Sequence, residues 1–180
     1  MKSVVAVTRA IDTMNDTIGR HVAWLALLMV LVQFIVVVMR YVYGIGSIAM
    51  QESIIYMHGI LFLTGAGYTL LHNGHVRVDI FYREASVKAK AWVDFFGVLF
   101  FLIPVTTAIW WTSWGYVASS WRVFEGSQET SGIQAVFLLK TAILVFCVLI
   151  VVQGISMALH ALLTIVGYEH PVTEQVHEGV

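Results

Sequence analysis

Three stretches of this chain, 21–39, 53–71 and 95–117, contain no Asp, Glu, Lys or Arg, and a fourth, 138–166, contains only Lys140. A bilayer core about 30 Å thick takes about 20 helical residues at 1.5 Å each, so every stretch is long enough to cross it. Only 12% of residues are charged, against about 25% in an ordinary soluble domain. The expectation is an all-α, polytopic membrane protein. Four transmembrane helices and amphipathic interfacial segments form a single domain over 1–180. A formal net charge of -1 leaves no basic footprint for nucleic acid. The single cysteine, Cys147, sits in an apolar run and excludes an intrachain disulfide.

The chain is organised around Gln51–Tyr82, QESIIYMHGILFLTGAGYTLLHNGHVRVDIFY. Glu52 stands at its start, and an uncharged run follows. A polar turn, His72-Asn73-Gly74-His75, then leads into the alternating Val76-Arg77-Val78-Asp79. The small residues Thr64-Gly65-Ala66-Gly67 let another helix approach closely. His75, Arg77 and Asp79 are expected to shape and anchor the elbow, without doing chemistry. Arg40 and Glu52 flank the short link before this span and are expected to pair.

Before the first span, Val4, Val7, Ile11, Met14 and Ile18 recur at helical spacing, with Lys2, Arg9, Asp12, Asn15, Asp16 and Arg20 on the other positions. That pattern predicts an interfacial amphipathic helix over 1–20 with an apolar stripe and a charged back, not a signal peptide. The alternative is a soluble helix running into the membrane. Arg77 to Asp94 is the most charged segment and reads as a membrane-surface connector, with Ser86 placed to cap a short helix. Pro104 is expected to kink the third span. Trp110, Trp111, Trp114, Tyr116 and Trp121 cover roughly 16 Å of that helix. This is deeper than an aromatic belt alone, so some of them are expected to face a protein partner. Lys140 is expected to snorkel to the near surface, and 167–180 forms an acidic tail.

Four crossings put both ends of the chain on one side. Lys2, Arg9, Arg20, Arg77, Arg83, Lys88 and Lys90 fall on that side, against Arg40, Arg122 and Lys140 on the other. The positive-inside rule then makes both termini and the middle connector cytoplasmic.

The chain carries no phosphate-cradling loop, zinc pattern or nucleophile motif, so no catalytic residue and no metal ligand is assigned. Gly65-Ala66-Gly67 lacks the third glycine and the preceding strand of a dinucleotide fingerprint. Membrane four-helix bundles can hold haem, which makes a haem-binding electron-transfer subunit the alternative reading. His58 lies about two turns inside the second span and no other span offers a histidine at that depth. His21, His72, His75 and His160 fall near the cytoplasmic ends. Buried ionisable residues mark ion paths in transporters, and broken helices mark substrate sites. These spans are nearly free of the former, with Glu52 and Lys140 near span ends and not at midplane, and show no broken-helix pattern, so the chain reads as an accessory subunit that does not carry a polar solute by itself.

Over about residues 10 to 165 the chain resembles the small membrane subunit (DctQ-like) of tripartite ATP-independent periplasmic (TRAP) transporters. Arg40 follows the first span, Glu52 opens the second, and Gly65-Ala66 lies within it. His75-Val76-Arg77-Val78-Asp79 closes it, ahead of Phe81-Tyr82, and Glu125 and Ser127 precede the last span. Met50-Gln51 stands where the family usually carries a tryptophan-containing pair. The resemblance implies secondary active, ion-gradient-driven symport of solutes, typically organic acids, across the bacterial inner membrane. A periplasmic substrate-binding protein captures the solute and the large permease subunit carries it. The small subunit packs against the large subunit's immobile scaffold, within membrane lipid and without a cofactor. Candidate interface and structural residues are Arg40, Glu52, Gly65, Ala66, His75, Arg77, Asp79, Trp110, Trp111 and Trp114.

Overall fold

The computed structural model describes residues 2–76, 82 and 84–167, and all regular structure among them is helical. The elements are α1 (Lys2–Val42), α2 (Ile48–Leu71), α3 (Val87–Gly97), a π-helical turn (Val98–Leu102), α4 (Ile103–Arg122) and α5 (Val136–Ile165). Since α3, the π turn and α4 run on as one rod, four segments are long and apolar enough to cross a membrane. The all-α, four-span fold expected from the sequence is the fold observed.

Helix α5 is the centre of the molecule. It packs on α1, α2, α3 and α4, whereas α2 makes no contact with α3 or α4, and neither does α1. The α1–α2 pair therefore lies on one side of α5 and the α3–α4 rod on the other. The interior side of α5 is set by Ala142, Cys147, Ile150, Gln153, Gly154 and Ala161, all buried.

At 41 residues, α1 is about 60 Å long, twice the thickness of the hydrocarbon core. The sequence suggested a separate helix over 1–20, but there is no break at Arg20–His21. No proline interrupts the run, and Gly19 is held against the Tyr68 ring of α2. The packed face also differs from the expected one. Val7 and Met14 of the apolar stripe are 50% and 39% exposed, while Thr8 and Asn15 on the polar side are 1% exposed. The reason is long-range: α5 offers polar partners to that face, which local periodicity does not reveal.

The ends of the other helices follow their sequence. Ser47 caps α2 by accepting from the Met50 N–H at 3.4 Å. Ser86 caps α3 by accepting from Ala89 N–H at 3.3 Å, as its position before the connector's second half suggested. At the end of α2, Asn73 takes a left-handed conformation (φ 53). The Gly74 N–H then returns to the Thr69 carbonyl at 2.8 Å, which satisfies a terminal carbonyl that would otherwise be orphaned. At Pro104 the expected disturbance takes the form of the π turn. A proline ring collides with the carbonyl four residues back and cannot donate to it. Widening the preceding turn, so that Ile103 N–H bonds to the Val98 carbonyl, accommodates this within a continuous helix.

Candidate functional site

Polar chemistry gathers at the two opposite ends of the bundle. At the end where α4 joins α5, the carboxylate of Glu52, near the start of α2, accepts from the Ser127 hydroxyl. It also accepts from Ile133 N–H at 2.6 Å. Tyr56, one turn further along α2, donates to the Ile133 carbonyl at 3.3 Å. Gly132 is required here, because a Cβ would fall 2.7 Å from a Glu52 carboxylate oxygen and 2.2 Å from the Ser127 hydroxyl. Glu52 thus fastens the 123–135 loop to α2. Its expected pairing with Arg40 is not formed: Arg40 is exposed in the last turn of α1. There its charge opposes the negative end of the helix dipole.

The same loop is tied to α5 by Lys140, whose ammonium meets Glu125 and lies 3.9 Å from the centroid of the Tyr116 ring. The Lys140 side chain is 13% exposed, held between this ion pair and the cation–π contact. The Lys140 hydrogen bond holds the Glu125 carboxyl below the usual glutamate range. Trp121 donates from Nε1 to the Thr141 hydroxyl at 2.8 Å and packs edge-on against Phe137.

At the opposite end, α1 meets α5 through a polar network. Asn15 Nδ2 donates to Gln153 Oε1 at 2.8 Å, and Gln153 Nε2 donates to Asp12 Oδ1 at 3.0 Å. The Ser156 hydroxyl donates to the same Asp12 oxygen at 2.7 Å, and His160 Nε2 reaches Asp12 Oδ2 at 3.0 Å. Next to it Asp16 joins α1 to α2 through His72 Nε2 at 2.9 Å, and pairs with Arg20 at 2.7 Å. Asn15 Oδ1 is buried without a hydrogen-bond partner and lies against Gly67, where a Cβ would fall 2.3 Å from it.

The sequence reading did not name Gln153 or Ser156, and it placed Asp12 on a charged back and His160 among the cytoplasmic-end histidines without joining them. A signal existed: Gln153, Ser156 and His160 interrupt the apolar stretch of α5 between Thr141 and Thr164, and their spacings of three and four put them on one face. Of the histidines weighed for haem, His72 and His160 each engage a carboxylate, and His58 stacks on Phe62 at 6.2 Å. Among the described residues, no three His, Cys, Asp or Glu side chains converge as metal ligands would.

The remaining sequence candidates spread out. Ala66 is buried, but a Cβ on Gly65 would meet nothing within 4 Å, so Gly67 is the point of close approach. Trp110 stacks on Trp114 at 5.7 Å; Trp111 is 81% exposed and Trp114 is exposed as well. His75 is exposed beside a groove described below. Arg77 and Asp79 lie outside the described residues.

This arrangement joins helices at their ends. Comparison with curated proteins and with solved structures finds no match to the chain. Comparison with protein families matches residues 29–164 to the family described as tripartite ATP-independent periplasmic transporters, DctQ component. The match begins within α1 and runs through α5, taking in Glu52, Ser127, Lys140 and the α5 half of the polar network. A multi-pass helical protein with this match over most of its length belongs to the DctQ family, the small permease component of TRAP transporters.

Proposed function

We propose that this chain is a scaffold subunit that holds the large permease subunit of a TRAP transporter in place and moves no solute itself. The assembly performs ion-gradient-driven symport of a solute, an organic acid by the family's habit, delivered by a periplasmic binding protein. The chain lies in the bacterial inner membrane with both termini cytoplasmic, neither catalyses a reaction nor binds nucleic acid, and needs no cofactor.

One observation carries this reading. The ion pairs of the described residues stand at the ends of the bundle, and two of the threonine hydroxyls between the ends are already used within their own helical rods. Thr64 donates to the Ile60 carbonyl at 2.6 Å, and Thr106 donates to the Leu102 carbonyl at 2.6 Å. A charged solute at mid-depth would find few groups to replace its hydration, and burying it unpaired is costly. The exposed Trp111 and Trp114, with Trp110 stacked beside them, form the surface we assign to the large subunit. We assign Glu52 and its loop to the periplasmic side and the elbow around His75, Arg77 and Asp79 to the cytoplasmic side. Gly65, Ala66 and Arg40 contribute to packing and anchoring.

The test is reconstitution in liposomes under an imposed sodium gradient. Uptake is expected only when this chain, the large permease and the binding protein are all present. Uptake by this chain and the binding protein without another membrane subunit would overturn the scaffold reading.

A further inference from the structure

Because α2 does not touch α3 or α4, a groove of about 780 Å³ opens between the end of α2 and the α3–α4 rod. Its floor is α5, at Phe146 and Ile150, and its wall is formed by Phe101, Val105 and Ile109. Thr106 also lines it, but its hydroxyl is bonded within α4. Among the described lining residues, the charged and titratable groups gather at one end, where His75, Tyr82 and Asp94 form the mouth. There the Tyr82 hydroxyl donates to Asp94 at 2.8 Å, and the Lys90 ammonium stands 5.5 Å from the Tyr82 ring centroid. We propose that this groove is a binding site for one membrane glycerophospholipid, with an acyl chain along the apolar wall and the phosphate at the mouth beside Lys90.

Three features select that occupant. The first is the one-ended polarity, which matches a molecule with a charged head and a hydrocarbon tail. The second is length. From Asp94 to Ile109 the rod rises about 22 Å, enough for a chain crossing one leaflet, half of the roughly 30 Å core.

The third is width. Spread over about 22 Å, a volume of about 780 Å³ is wide enough for an extended hydrocarbon chain to lie along the wall. An empty groove would forfeit the dispersion contacts of its lining. Lys90, next to the Tyr82 ring just outside the groove's lining, adds the electrostatic preference for phosphate that basic pockets between membrane helices provide. The site is independent of the transport role.

The groove can be filled by substitution. Gly97 lines it in ordinary helical geometry, and a Cβ there meets nothing within 4 Å, so Gly97→Phe projects a ring into open space. Val105→Trp does the same from the wall. The full chain is purified in neutral detergent with equimolar palmitoyl-oleoyl phosphatidylethanolamine and the diacylglycerol of the same chains, and retained molecules are counted by native mass spectrometry.

One phospholipid per chain is expected, with at least fivefold less diacylglycerol. Each filling variant is expected to lower retention at least fivefold at unchanged helix content by circular dichroism. Lys90→Gln should bring phospholipid down to the diacylglycerol level. If Gly97→Phe loses helix content, Val105→Trp decides. Retention unchanged in the filled variants, equal retention of the two lipids by the parent chain, or complete loss of the lipid on binding the large subunit would each overturn the proposal.

Discussion

Gly67 and Gly65 stand two residues apart in α2, and alanine at each is expected to act in opposite directions. In a helix interior, Gly→Ala ordinarily stabilises by about 1 kcal/mol, because glycine loses more backbone freedom. At Gly65 nothing lies within 4 Å of the new methyl, so that gain should appear. At Gly67 the methyl would stand 2.3 Å from Asn15 Oδ1, 3.1 Å from its Cγ and 3.5 Å from Leu149 Cβ. Leu149 is at ordinary contact, so the amide of Asn15 has to move. Moving it strains or breaks its buried 2.8 Å bond to Gln153.

Overpacking of this kind costs about 1–3 kcal/mol, and orphaning a buried polar group costs a similar amount. After the helix-propensity gain, a net loss of about 1–5 kcal/mol remains. For a chain of this size that lowers the melting temperature by about 2–20 °C. Thermal unfolding in detergent, followed by circular dichroism, measures both variants. Asn15→Ala in the Gly67→Ala background should recover at least about 1 kcal/mol relative to additivity, because the new methyl then occupies vacated space. A melting temperature raised by Gly67→Ala as much as by Gly65→Ala, or strictly additive effects, would refute the argument.

Further outcomes are expected at the other end of the bundle. Glu52→Ala should release the 123–135 loop and speed hydrogen exchange at the Ile133 amide at least tenfold, and Gly132→Ala should do the same by displacing the carboxylate; unchanged exchange in both would show that the loop is held by something else. Glu125 titrates below the ordinary glutamate range because of Lys140. Its contribution is therefore complete above that range, about 4.3, and is lost as pH falls through the lowered value. Carboxyl NMR of Glu125 should show a midpoint that moves upward in Lys140→Met. For orientation, Ser3→Cys in a Cys147→Ser background should react with a membrane-impermeant maleimide only after the membrane is opened, and Ser127→Cys should react in intact spheroplasts; the reverse pattern would invert the proposed topology.

The crossings were legible because each is a long uncharged run, and no local alternative competes with such a signal. The cap at Ser86, the polar turn at His72-Asn73-Gly74-His75 and the disturbance at Pro104 are equally local, so residue type and position point to them. What the sequence did not disclose is which face of a helix meets which partner. The polar side of α1 looked like a solvated back until Gln153, Ser156 and His160, nearly 140 positions later, turned out to face it. Glu52 was seen as important, but its nearest opposite charge in sequence, Arg40, was the wrong partner. The right ones are a hydroxyl and a backbone N–H from a loop some 75–81 residues away. Spacing along a chain locates residues on a helix face; it does not say which helix arrives there.

The central place of α5 fixes an order of assembly. Among the described residues the α3–α4 rod makes no close backbone approach to α1 or α2, so of the described helices α5 alone holds it in the bundle. Asp12 and Asn15 likewise wait for partners 138–148 residues downstream. At a synthesis rate of about 5–20 residues per second that interval is roughly 7–28 s. During it the nascent protein is a helical hairpin and a lone crossing side by side in the bilayer, with an unpaired polar patch on α1. A ribosome stalled before α5, or a truncation that removes it, leaves two pieces with no interface between them. The final 30-residue helix is thus the closing step of biogenesis.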